Sequence, residues 1–72
     1  MTNMDKLRGK LAEKRMSVEE LAGLIGLTKS TVYRRISTNG EAFTVGEANK
    51  IVEALNLTTA EALAIFFAAD VA

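Results

Sequence analysis

Three basic side chains, Lys29, Arg34 and Arg35, lie within one short segment of this chain. Ammonium and guanidinium groups carry positive charge and donate hydrogen bonds, and a guanidinium can present two parallel N–H groups to one pair of acceptors. Lys29 and Arg34 therefore have the chemistry to bind O6 and N7 of guanine, and Arg34 can bind both atoms at once. Ser30 adds a hydroxyl that donates or accepts. This chemistry is useful only if a rigid element presents the side chains together.

A first helix is predicted to begin at Ser17, because Ser17 and Glu20 have the spacing of a capping box. Apolar residues at helical spacing mark its buried face: Leu21, Ala22 and Ile25. Gly26 should end this helix, since glycine adopts the left-handed C′ conformation without steric cost. Leu27 can then fill the space beneath the turn.

A second helix is predicted to follow Thr28, a good N-cap, with Val32 and Ile36 facing inward. Two short helices joined at a sharp angle by a turn containing glycine form a helix-turn-helix unit, here about residues 17–36. This arrangement places its second helix in the DNA major groove. Lys29, Arg34 and Arg35 all fall on that second helix.

The pattern resembles the phage repressor and Cro family of DNA-binding domains. Apolar residues or glycine occupy the positions that carry the resemblance: Leu21, Ala22, Ile25, Gly26, Leu27, Val32 and Ile36. The resemblance covers about the whole chain and implies an all-α fold, a five-helix lambda-repressor-like domain formed by residues 1–72. Leu24 departs from the family, which more often has a polar residue there, and suggests an extra contact with a following helix or a partner.

The resemblance also implies which residues contact double-stranded DNA. Base contacts are expected from the start of the second helix and from one turn later: Thr28, Lys29, Ser30, Tyr33 and Arg34. Phosphate contacts are expected at the start of the first helix, where backbone N–H groups are free, and after the second helix: Ser17, Val18, Arg35, Thr38 and Asn39. Some of these residues have equally good structural explanations: Thr28 as a helix cap, Tyr33 as a surface residue and Asn39 as part of a turn with Gly40. Arg35 can equally meet a surface acid.

The flanking segments are also predicted to be helical. Residues 4–15 place Met4, Leu7 and Leu11 on one face. Thr44 with Glu47 forms a second capping box, and the helix it opens buries Ala48, Ile51, Val52 and Leu55 and ends at Asn56. Thr58 with Glu61 forms a third box and opens a last helix of about residues 59–69. Proline is absent, and no segment alternates apolar and polar residues as a strand would.

The last helix is apolar on nearly all sides, so two faces of it must be covered. One stripe, Ala60, Leu63 and Phe67, is expected to pack on the core. The other stripe is expected to form a homodimer interface: Ala62, Ile65, Phe66 and Ala69. The alternative is that this second stripe packs beneath the first helix of the same chain. A dimer would read a palindromic operator.

The composition restricts the other classes of function. Seventy-two residues form one domain, and the chain has neither cysteine nor histidine. The commonest zinc ligands and the commonest general base are therefore missing, and no phosphate loop or nucleophile motif is present. We expect no enzymatic activity, metal, cofactor or small-molecule ligand. No signal peptide is visible and the apolar segment 62–69 is too short to cross a bilayer, so we expect a cytoplasmic protein of a bacterium or a phage-infected cell.

The net charge is zero, but the charge is unevenly distributed along the chain. Residues 1–40 contain eight basic and four acidic residues, a net charge of +4, and residues 41–72 contain one basic and five acidic residues, a net charge of −4. Phosphate attraction depends on the local field, so the basic half favours DNA binding. The sequence thus predicts a small phage- or prophage-type transcriptional regulator. The alternative is a helical protein-interaction module, like an antirepressor or antitoxin, that has lost DNA binding.

Overall fold

The computed structural model describes residues 2–38 and 43–67. Within these ranges the chain forms five helices and no strand: α1 (Met4–Glu13), α2 (Val18–Ile25), α3 (Lys29–Ser37), α4 (Val45–Leu55) and α5 (Thr59–Phe66). α2 packs against both α3 and α4, and α1 packs against α5. The predicted all-α, five-helix fold is confirmed. No helix of the described residues is long and apolar enough to cross a membrane.

Polar side chains define where every helix begins. The side chain of the residue before each helix accepts a hydrogen bond from the backbone N–H three residues later: Asn3, Ser17, Thr28, Thr44 and Thr58. At α2, α4 and α5 the glutamate at the third helical position accepts from the N-cap backbone in return, which completes the three predicted capping boxes. The sequence therefore determines the start of these helices through contacts between near neighbours.

Three helices end in the same way, with one residue in the left-handed conformation. These residues are Arg15 (φ 53°), Gly26 (φ 77°) and Asn56 (φ 52°). In each case the next residue donates its N–H back to the carbonyl five residues earlier, as Leu27 does to Ala22 at 2.9 Å. Gly26 and Asn56 end their helices as predicted. Arg15 lies outside α1, which is shorter than the predicted 4–15.

The core is formed by one apolar face from each helix. Nine of the residues predicted to be buried are buried: Leu7, Leu11, Leu21, Ala22, Ile25, Val32, Ile36, Ile51 and Leu55. Leu27 and Val52 are partly buried and pack against this core. Met4, the first residue of α1, and Leu57, which follows the end of α4, are buried as well and belong to the same core. Because α2 packs against both α3 and α4, it lies between them, and the position of α3 depends on its packing against α2.

α5 presents the opposite face to the core from the one predicted. Ile65 and Phe66 are only 1% and 8% exposed, whereas Leu63 and Phe67 are 52% and 56% exposed. The N–H of Asn3 donates to the Ile65 carbonyl, which holds α5 against the segment that leads into α1. Ile65 and Phe66 thus belong to the monomer core and are unavailable to a second copy, which corrects their predicted place in a dimer interface. Ala62 is half-buried, and Ala69 lies outside the described residues.

Candidate nucleic-acid interface

One face of α3 is exposed along its length. Consecutive residues of a helix are about 100° apart, so five exposed residues fall within an arc of about 140°: Lys29, Tyr33, Ser37, Ser30 and Arg34. Val32 and Ile36 lie outside this arc and are buried. Four residues predicted to contact bases are therefore presented together. Ser37 lies on the same face, and it was not among the base contacts predicted from the sequence. Its position seven residues, or about two turns, after Ser30 is the signal that places it on this face.

Thr28 is engaged at the start of α3. Its Oγ1 accepts a hydrogen bond from the N–H of Thr31 at 3.2 Å, and the hydroxyls of Thr28 and Thr31 are 2.8 Å apart. Thr28 thus acts as the N-cap, in agreement with one of its two explanations from sequence. Thr28 is also exposed beside Lys29, so a contact between Thr28 and a base stays a prediction.

Lys29 forms an ion pair across the turn between α2 and α3. Its Nζ lies 3.7 Å from Oε2 of Glu19, and both side chains are mostly exposed. An exposed pair of this kind contributes about 0–1 kcal/mol and is weakened by salt, so Lys29 can be released to another acceptor. Among the described residues no carboxylate lies within ion-pairing distance of Arg34. Arg34 is therefore the strongest hydrogen-bond donor on this face that is not engaged.

Arg35 has a different environment from Arg34. Its guanidinium forms an ion pair with Glu47 of α4 and lies over the ring of Phe43, 5.8 Å from the ring centre. The side chains of Arg35 and Glu47 are only 19% and 16% exposed. The sequence allows two partners for Arg35, a phosphate or a surface acid, and a phosphate contact would require the guanidinium to leave Glu47. The alternative partner, an acid, is the one observed.

The start of α2 retains free backbone donors. The N–H of Ser17 donates to Oε1 of Glu20 at 3.1 Å, and Ser17 Oγ accepts from the N–H of Glu20 at 3.0 Å. The N–H groups of Val18 and Glu19 have no acceptor among the described residues. The side chain of Val18 packs against the core, so only its backbone can reach a ligand. The positive end of the helix dipole adds to the attraction of an anion here, and the carboxylates of Glu19 and Glu20 oppose it.

The end of α3 is closed by two hydroxyl groups. Ser37 Oγ donates to the carbonyl of Arg34 at 2.7 Å, and Thr38 Oγ1 donates to the carbonyl of Arg35 at 2.9 Å. Thr38 is exposed beyond the last turn, and Asn39 lies outside the described residues. Within the described part of the chain, no group of three or more acidic side chains is placed to hold a metal ion.

The family model of the Cro/C1-type HTH DNA-binding domain matches residues 6–67 of the chain. The chain belongs to this family. The matched range includes most of α1 and all of α2 to α5, so the resemblance noted from the sequence is confirmed. No curated protein matches the chain, and no solved structure does.

Membership of the Cro/C1-type family relates the chain to a known mode of DNA binding. In this type of domain the second helix of the unit enters the major groove, and the first helix crosses the DNA backbone. α2 and α3, which the turn at Gly26 joins, are the two helices of the chain that have this arrangement among the described residues. The family acts in DNA binding and is generally non-enzymatic.

Proposed function

We propose that the chain is a small transcriptional regulator of the phage or prophage type, which binds a palindromic double-stranded DNA operator as a homodimer in the cytoplasm. The observation that carries this proposal is the exposed arc of α3, on which Lys29, Ser30, Tyr33 and Arg34 lie together. Such an arc fits the major groove, which is wide enough to admit a helix and displays a distinct donor and acceptor pattern for each base pair.

Within this proposal, the side chains of the arc have different parts. Arg34 makes two parallel hydrogen bonds to a guanine, and Lys29 binds a second purine or a phosphate after leaving Glu19. Ser30 and the cap Thr28 bind base edges at the start of the helix. Tyr33 packs its ring against a sugar or a thymine methyl group. Ser37 is added to these residues because it lies between Tyr33 and Arg34 around the helix.

Phosphate groups are bound on both sides of the arc. The N–H groups of Val18 and Glu19 and the hydroxyl of Ser17 bind one phosphate at the start of α2. Thr38 and Asn39 bind another beyond the end of α3. Arg35 is left out of this set because its guanidinium is paired with Glu47.

The dimer interface is proposed on the exposed face of α5, with Leu63 and Phe67 as its apolar contacts. Phe67 also borders a groove of about 380 Å³ between α4 and α5, and none of the groove's described lining residues is charged: Thr2, Phe43, Thr44, Val45, Ala48, Asn49, Val52, Ala62, Phe66 and Phe67. One surface therefore offers both an exposed ring and a largely apolar recess beside it. A two-fold interface requires this self-complementarity, which favours a second copy as the occupant.

Selection from a random DNA duplex library tests the proposed function. We expect enrichment of a palindrome whose half-sites are about 34–36 Å apart, one turn of DNA. Binding should weaken steeply with salt, because phosphate contacts release counterions. An enriched sequence without two-fold symmetry would contradict the dimer, and the absence of both enrichment and low-salt binding would contradict DNA recognition.

Leu24 favours the second candidate function, a protein-interaction module. This leucine is exposed on α2 rather than covered by a neighbouring helix. If the module explanation is correct, Leu24→Ser should abolish binding of a protein partner and the wild type should not select any DNA. If the chain is a DNA regulator, Leu24→Ser should leave the selected DNA sequence unchanged.

A further inference from the structure

The contact between α3 and the start of α4 involves three side chains that the DNA contacts do not use. Arg35 of α3 pairs with Glu47, the third residue of α4, and its guanidinium covers the ring of Phe43. Arg35 and Glu47 are both mostly buried, unlike the exposed pair of Lys29 with Glu19. A guanidinium is planar and has its donors in a fixed arrangement, so pairing and stacking together restrict its orientation.

Glu47 performs two tasks with one oxygen atom. Its Oε1 accepts a hydrogen bond from the N–H of Thr44 at 2.9 Å, and the same Oε1 pairs with Arg35. The N–H of Glu47 donates to Thr44 Oγ1 at 3.0 Å, which completes the capping box. Arg35 is therefore attached to the capped first turn of α4.

The attachment matters because α3 is otherwise held from one side. Val32 and Ile36 bind it to the core, and α3 packs mainly on α2. Arg35 adds a connection on the side that faces α4, one residue after Arg34. A rotation of α3 about its axis would displace the long side chain of Arg34 and would also break the Arg35 pair.

We propose that Arg35 is a positioning residue for DNA recognition, held by Glu47 and Phe43, which fixes the rotation of α3 and so directs Arg34 at its base pair. This inference rests on the proposed DNA-binding function. Its competitor is the simpler role in which Arg35 leaves Glu47 and binds a phosphate. The two roles make opposite predictions when the pair is weakened.

Two glutamates provide a matched comparison. Glu47 and Glu61 each complete a capping box, and each pairs with a cation on another helix, Arg35 on α3 or Lys10 on α1. Glutamine retains the capping geometry but removes the charge. Glu47→Gln therefore weakens the connection to α3, and Glu61→Gln makes the same change where α3 is not involved.

The experiment measures two quantities at neutral pH, for the wild type, Glu47→Gln, Glu61→Gln, Arg35→Gln and Arg35→Lys. The first is the ratio of affinities for the selected DNA site and for the same site altered at the base pair read by Arg34. The second is the slope of log affinity against log salt concentration. Circular dichroism establishes a temperature at which each variant is folded, and Arg35→Lys serves if Arg35→Gln does not fold.

If Arg35 is a positioning residue, Glu47→Gln and both Arg35 variants lower the affinity ratio about fivefold or more, the lower end of what one bidentate contact contributes. The salt slope is then unchanged and Glu61→Gln behaves as the wild type. If Arg35 binds phosphate, Glu47→Gln instead raises affinity for all sequences, and Arg35→Gln lowers the slope by about 0.9 without changing the ratio. The positioning role is overturned by that result, by an unchanged affinity ratio in every variant, or by an equal loss of the ratio in Glu61→Gln. In each of these cases, the proposed DNA-binding function still holds if the wild type selects a DNA sequence. A wild type that selects no DNA overturns both.

Discussion

Neighbouring arginines on α3 have different surroundings because a helix turns by about 100° between consecutive residues. Arg34 projects from the exposed arc, whereas Arg35 meets Glu47 and Phe43. The sequence identified both residues as possible DNA contacts, since their chemistry is identical. It assigned Arg34 to a base and Arg35 to a phosphate or a surface acid, but it did not identify Glu47, because this partner is twelve positions away on a helix whose placement depends on the whole fold. The pair of Lys29 with Glu19 was missed for the same reason.

Arg34→Ala should remove the readout of one base pair. We expect a loss of about 1–3 kcal/mol in binding to the selected site and a relaxed preference at a single position, because a bidentate contact to guanine is lost. Repeating the library selection and measuring affinities for single-base variants of the site checks this.

Arg8→Ala is the matched control for Arg34→Ala, since it removes the same charge from α1, where Arg8 pairs with Asp5 at 3.1 Å. It should leave the base preference unchanged. Equal relaxation in both variants would mean that charge alone, rather than a base contact, explains the effect of Arg34.

The ends of the helices were the most predictable part of the fold. Capping boxes at Ser17, Thr44 and Thr58 and the left-handed turns at Gly26 and Asn56 were all expected and are all observed. These features depend on residues three to five positions apart, so the information is local. Arg15 was not expected to turn left-handed, because arginine has no preference for that conformation.

The orientation of α5 was the least predictable feature. Its sequence is apolar on nearly all sides, so no amphipathic pattern distinguishes the face with Ile65 and Phe66 from the face with Leu63 and Phe67. The choice is made by long-range contacts, among them the hydrogen bond from Asn3 to the Ile65 carbonyl. As a result, Leu63 and Phe67, which were predicted to be in the core, are exposed, and the predicted dimer contacts Ile65 and Phe66 are buried.

Two glycines of the α2 region should respond to alanine with opposite signs. Gly26 has a φ of 77°, where a side chain is strained, so Gly26→Ala should destabilise the domain by about 1–2 kcal/mol. Gly23 lies within α2, and a Cβ there meets nothing within 4 Å. Gly23→Ala should therefore stabilise the domain by about 0.5–1 kcal/mol. Urea denaturation followed by circular dichroism measures both, and a destabilised Gly23→Ala would contradict the open space beside it.

The two ends of the described chain are joined by contacts between α1 and α5. Lys10 pairs with Glu13 of its own helix at 2.8 Å and with Glu61 of α5. Hydrogen bonds to Glu13 and then Glu61 raise the pKa of Lys10 above its usual value. The hydrogen bond from Lys10, followed by that from the Thr58 N–H, lowers the pKa of Glu61 from 4.5 to about 2. The structure as a whole should therefore be sensitive to acid through this carboxylate.

Glu61→Gln should reduce the sensitivity of stability to acid. The pKa of Glu61 is lower in the folded state, so its contribution to stability is fully present above about pH 4.5 and is lost as the pH falls from about 4.5 to about 2. Thermal unfolding across this range should show a smaller decline for Glu61→Gln than for the wild type. Glu53→Gln, which removes a carboxylate without an ion pair among the described residues, should follow the wild type. An unchanged decline in Glu61→Gln would exclude this carboxylate as the source.

A dimer is expected because one recognition helix reads too few base pairs to locate a site in a genome. Dimerisation should depend on Phe67, since this residue lies on the proposed interface on the exposed face of α5. Phe67→Glu should keep the helical fold, since the ring is exposed, and should convert a dimer to a monomer in analytical ultracentrifugation. The variant should also need a higher concentration to bind the full palindrome and should lose cooperativity between half-sites. Phe66→Glu is unsuited to this test, because a buried charge would unfold the domain.

Leu24→Glu is the control for Phe67→Glu, as it places the same charge on an exposed leucine of α2. A small interface of this kind is expected to dissociate in the micromolar range without DNA, so sedimentation must cover that range. The dimer proposal predicts that Leu24→Glu sediments as the wild type and that Phe67→Glu does not. If the wild type and Phe67→Glu are both monomeric at every concentration and bind the palindrome equally well, the face of α5 is not the interface. If Leu24→Glu alone dissociates, the interface lies on α2.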